Sequence, residues 1–179
     1  RQLSLLRYVA SAFRCFRMSK SLFVEFRGQG FWTFDVVSGI FLKHLIDAAG
    51  SSMADQRESW LTEAVDHWRF NAVCGDCGLF LDDNWSPEQL QLVRTLAIAA
   101  CEVLAKRREI SAEEMSSWSL HDGEGVFPRG YASITTESAI RLGRAIIQLL
   151  DGSLPEAPRG TWWFFGTEDA PPTVAQRQS

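Results

Sequence analysis

The stretch SLFVEFRGQGFWTFDVVSGIFLKHLIDAAG, residues 21–50, passes from a strand pattern to a helix pattern, and the point of passage decides the fold. In Ser21–Phe26, Leu22, Val24 and Phe26 alternate onto one side while Phe23 points to the other, so this strand reads as covered on both faces. Gly28 and Gly30 then break the pattern, and FRGQGFWTFD reads as a turn leading from the strand to the first core helix. Asp35 is placed to cap that helix, which runs through VVSGIFLKHLIDAA and stops at Gly50. Its apolar positions Val36, Val37, Ile40, Phe41, Leu45 and Ala48 spread over a wide face, which predicts a helix near the centre of the fold. The glycines do not continue into the third glycine of a dinucleotide-binding turn, and no Lys-Ser or Lys-Thr pair of a phosphate-binding loop follows them.

Further along, Asp55 and Glu58 have capping-box spacing ahead of SWLTEAVDHWRFNAV, whose buried side is predicted to hold Trp60, Leu61, Ala64, Val65, Trp68 and Val73. Ser86, Pro87 and Gln89 form the clearest helix start in the chain, and the helix they open carries a Leu90, Val93, Ala97, Ala100, Cys101, Leu104 stripe. Ser111 and Glu114 start a short helix to Trp118. A last helix begins near Thr135 and ends at Gly152, and TWWFFG reads as a second short strand. The expected fold is therefore mainly α. Four or five helices surround one core, and a small two-stranded β element pairs the N- and C-terminal regions.

One domain is expected over residues 18–169, with a disordered tail at 170–179, since 179 residues suit a single core. Residues 1–17 carry four arginines and no acid, and MSKSLFVEF looks like an ordinary beginning, so Met18 is the expected native start. The alternative is a basic amphipathic leader on Leu3, Leu6, Phe13 and Phe16. No apolar run reaches the roughly 20 residues of a membrane crossing. The other 162 residues hold 14 basic and 22 acidic side chains, a net charge of −8. An acidic body argues against nucleic-acid binding, which needs clustered cations, and favours a basic protein partner. Four cysteines, without a secretory leader, read as reduced thiols in a cytoplasmic protein.

Three groups of residues are candidates for chemistry. Cys74 and Cys77 in VCGDCG have zinc-knuckle spacing, and His67 could add a ligand, but no second such pair supplies the remaining ones. The expectation is no cofactor, with zinc as the open alternative. His121, Asp122, Glu124 and Arg129 share a Gly- and Pro-punctuated loop, where a His beside carboxylates could do acid–base work in a small metal-dependent hydrolase. Asp82, Asp83 and Glu88 form an acidic edge beside Trp85, a candidate patch for a basic partner with the Trp as anchor. Trp162 and Trp163 are adjacent, so on a strand they face opposite sides, and an exposed Trp is costly unless something covers it.

GFWTFDVVSGIFLKHLIDAA, LFLDDNWSPEQL and GTWWFFGTED together resemble a group of uncharacterised bacterial single-domain proteins over roughly residues 21–169. Small acidic bacterial proteins of this build include immunity proteins, which neutralise toxins passed between competing cells. That resemblance implies binding of a protein partner, such as a basic toxin domain, with no catalysis required of the chain.

Overall fold

The turn at Arg27-Gly28 is where the chain departs from its sequence reading. Both residues have positive φ, 49° and 78°, as the two central residues of a type I′ hairpin turn must. They reverse the strand instead of ending it, so β1 (Ser21–Phe26) pairs antiparallel with β2 (Gln29–Phe34), Phe26 opposite Gln29. Arginine is strained in that conformation. Its backbone N–H donates to Asp83 Oδ1 at 2.7 Å and its Nε to the Asp83 carbonyl at 3.1 Å, which offsets the cost.

The computed structural model describes residues 21–52, 58–75 and 77–175. After the hairpin come α1 (Asp35–Ser52), α2 (Ser59–Val73), α3 (Pro87–Leu104), β3 (Glu109–Ser111), α4 (Ala112–Ser117), β4 (Ser133–Thr135), α5 (Thr136–Leu150), β5 (Thr161–Phe165) and β6 (Thr173–Ala175). The fold is mixed α/β, which corrects the mainly helical expectation: the described residues hold five helices, a four-stranded mixed sheet and a two-stranded one. The main sheet runs β1-β2-β5-β6, with β2 and β5 parallel and the outer pairs antiparallel. The predicted pairing of Ser21–Phe26 with the TWWFFG strand is not what forms: β5 pairs with the unforeseen β2, Trp32 opposite Phe164, and not with β1. Thr173–Ala175, expected in a disordered tail, is the strand β6. The expectations for residues 1–17 and for Asp55 as a cap lie outside the described residues.

Helix α1 is the central element, as its wide apolar face predicts, and it packs against α2, α3 and α5. Ile40, Phe41 and Leu42 are fully buried within it. The α3 start is also as read: Ser86 Oγ accepts from Gln89 N at 3.3 Å and the Gln89 side chain accepts from Ser86 N at 2.8 Å, a reciprocal box. Helices α3 and α5 approach closely at Gly143, where a β-carbon would come 2.5 Å from Cys101 Sγ and 2.6 Å from the Phe41 ring. Among the described residues the helices cover one side of the sheet. Leu22, Val24, Phe26, Phe31, Thr33, Trp163 and Phe165 face them, either buried or packed against the core.

The start of α1 is held by a long-range ion pair. Asp35 Oδ1 accepts from Val36 N at 2.7 Å, and Arg129 Nε donates to Asp35 Oδ2 at 2.7 Å across 94 residues of sequence. The two side chains are 5% and 8% exposed. Gly75 is required there, since a β-carbon at that position would come 2.6 Å from Asp35 Oδ2 and 2.8 Å from an Arg129 nitrogen.

Candidate functional site

A strand's side chains alternate, so residues that turn away from the helices must emerge on the opposite face of the sheet. In β1, β2 and β5 the large residues so placed include Phe23, Trp32, Trp162 and Phe164. All four are half-buried, and none belongs to the hydrophobics packed against the core. They make ring contacts on this face: the Phe23 ring lies 5.2 Å from Trp32 and 4.9 Å from Trp162, and Phe164 meets Phe34 at 4.7 Å, all tilted or edge-on. Phe34 closes the row, reaching the core as well. The Phe23 ring also lies over Gly30, so no side chain could replace that hydrogen without moving it. Among the described residues no helix covers this aromatic face.

The predicted acidic edge proves to border this sheet. A β-carbon at Gly78 would come 3.0 Å from the Phe23 carbonyl, and Asp83 takes the Arg27 bonds at the hairpin tip, so residues 78–83 run beside β1. Glu25, on the outer side of β1, is exposed. Asp82 Oδ1 accepts from the backbone and side-chain nitrogens of Asn84, which shapes the turn before α3. Glu88 is fully exposed, and the Ser86 hydroxyl donating to it at 2.8 Å holds its carboxyl below the ordinary carboxylate range. Trp85 is different from what its position suggested. It is 4% exposed and sits among Trp60, Trp68 and Phe80, so it is a core residue and not a surface anchor.

The His121 loop divides into an outward and an inward part. Asp122 and Gly123 both have positive φ, another tight two-residue reversal, which leaves the Asp122 side chain 89% exposed and 3.6 Å from His121 Nε2. The His121 ring rests edge-on against Phe70 at 5.4 Å, and Glu124 is exposed. Arg129 is turned inward onto Asp35, where it fixes the fold. No nucleophile contacts His121 among the described hydrogen bonds.

Cys74 Sγ and Cys77 Sγ lie 3.0 Å apart. They could offer a soft metal two ligands. His67 instead stacks on the Phe80 ring at 4.3 Å, and among the described residues no three His, Cys, Asp or Glu side chains converge as a ligand set. Cys101 is of another kind, because burial pushes its thiol up to about 11.

The aromatic face was not anticipated from the residues as a unit. Its signal was present in Phe23 and in the Trp162-Trp163 pair, each of which had to send a ring away from the core. Comparison of the chain with protein families, curated proteins and solved structures finds no match.

Proposed function

We propose that the protein is a binding module that engages a basic protein partner on the outer face of its sheet. The observation that carries this reading is the outer row Phe23, Trp32, Trp162 and Phe164, in which Phe23 contacts both tryptophans and Phe164 contacts Phe34, while their strand neighbours supply the core. Large aromatics with an apolar body are the side chains that anchor protein interfaces, and a contiguous apolar patch at a surface marks such a site. The rings are tilted against each other, a corrugated surface suited to side chains entering between them. Charge gives the partner its sign: Glu25 on the face, Asp82 and Asp83 beside the β1 edge and a net −8 outside the first 17 residues favour a surface rich in Lys and Arg. A basic toxin domain, neutralised by occlusion, is the specific partner the resemblance to immunity proteins suggests.

The test is affinity capture from source cells with four baits: the unaltered chain, Trp32→Ala, Glu25→Lys and a control, Glu63→Lys on exposed α2. A basic protein retained by the unaltered chain and by the control, but lost with Trp32→Ala and Glu25→Lys, supports the proposal. Capture of the same protein by all four, or of acidic proteins alone, overturns it.

A further inference from the structure

On the helical side of the sheet, away from the aromatic face, a cavity of about 160 Å³ opens between α5 and the β5–β6 connection. Its polar lining comes from Arg141, Arg144 and Gln148 on the helix and from Gly166, Thr167 and Asp169 on the connection. Two buried hydroxyls at this junction, Thr167 Oγ1 and Thr33 Oγ1, have no hydrogen-bond partner among the described residues. Thr33 is fully buried, and its hydroxyl lies beside Gly166, where a β-carbon would come 2.7 Å from it. Arg141 Nε forms an ion pair with Glu137 Oε1 at 3.2 Å, one turn back on the helix. A buried hydroxyl left unpaired costs on the order of 1–3 kcal/mol, and a molecule in the cavity that pairs with Thr167 would offset that cost.

We infer that this cavity is a binding site for a small carboxylate that also carries a hydrogen-bond donor, an α-amino or α-hydroxy acid. The guanidinium groups of Arg141 and Arg144 suit a carboxylate, with the Thr167 hydroxyl as a further donor. Asp169 and Glu137 set the charge limit. They balance the two arginines, so a singly charged acid with a donor facing Asp169 fits the site and a phosphate dianion does not. Size sets the other limit, because a cavity of about 150 Å³ accepts a molecule as large as benzene and little more.

The experiment is amide NMR of the full chain, following Gly166 and Thr167 during titration with glycine, L-alanine, L-lactate, acetate, methylammonium and inorganic phosphate. Saturable shifts with the amino or hydroxy acids, tighter than with acetate, are expected. Arg144 is exposed, so Arg144→Gln should leave the fold intact while weakening that binding about tenfold to a hundredfold, as loss of a charge-assisted hydrogen bond does. Thr167→Val should weaken it by a smaller factor in a chain with an unchanged melting transition. The inference is overturned if no probe shifts these amides at the highest concentration used. Phosphate or methylammonium binding in preference, or undiminished affinity in a folded Arg144→Gln chain, also overturns it.

Discussion

The two faces of the four-stranded sheet are built from the same strands and much the same residue types, yet they have opposite relations to the rest of the molecule. Phe31 and Trp32 are neighbours in β2. Phe31 is fully buried against Phe165 and the helices, whereas Trp32 meets the Phe23 ring of the outer row. Phe165 and Phe164 repeat the division in β5. Apolar character along a strand therefore does not say which face is core. The helices decide it, and among the described residues they leave the other aromatic face uncovered.

The sharpest way to break the comparison is to truncate one ring on each side. Phe31→Ala should cost about 3–5 kcal/mol, because it opens a cavity in a packed interior. Chemical denaturation would show it as a lowered midpoint with an unchanged slope. A smaller loss, about 1–3 kcal/mol, is expected from Gly143→Ala. There a methyl group must displace Cys101 Sγ and the Phe41 ring, and overpacking exceeds the gain in helix propensity. Trp32→Ala should cost about 1–2 kcal/mol, the scale of lost cross-strand ring contacts, while removing partner capture. Equal destabilisation by Phe31→Ala and Trp32→Ala would mean that the two faces are not distinct.

What could be read in advance follows from the range of the interactions. The start of α3 was legible because Ser86, Pro87 and Gln89 write their hydrogen bonds within four residues. So was the centrality of α1, whose apolar positions run nearly all round it. The strand β2 was not. Arg27-Gly28 makes a turn that usually carries Asn-Gly, and with aromatic residues on both faces QGFWTF shows no alternation of polar and apolar. Once β2 went unread, the sheet shrank to two strands and the fold class went with it. Trp85 was misplaced for a related reason. It stands just before a helix in sequence, where exposure is common, and only the packing of Trp60, Trp68 and Phe80 makes it core. The pairing of Arg129 with Asp35, 94 residues apart, has no local signature. Of the candidate site, the acidic edge was visible as a run of charge, but its position beside the β1 edge depends on the Arg27 turn.

The smallest expected effect separates the layers by pH instead of by mutation. His44, in α1, is 6% exposed; its Nδ1 lies 2.9 Å from the Ile40 carbonyl and its ring stands edge-on to Trp118. Burial, the leading influence, holds its imidazole below the ordinary value of 6.5, and Lys43 and Arg107 act in the same direction against Asp47 and the Ile40 bond. A lowered native value means that the unfolded chain binds more protons between that value and 6.5, so stability rises with pH through this window. The contribution is fully present above 6.5 and is lost progressively as pH falls toward the native value. Denaturation midpoints measured from neutral pH down to about 5 should fall more steeply for the unaltered chain than for His44→Asn, whose side chain does not titrate there. The aromatic outer face has no part in that proton. Capture of a partner by a still-folded chain at the same pH should therefore be indifferent to His44→Asn, and a loss of capture specific to the unaltered chain would show that the helical layer and the open face are coupled.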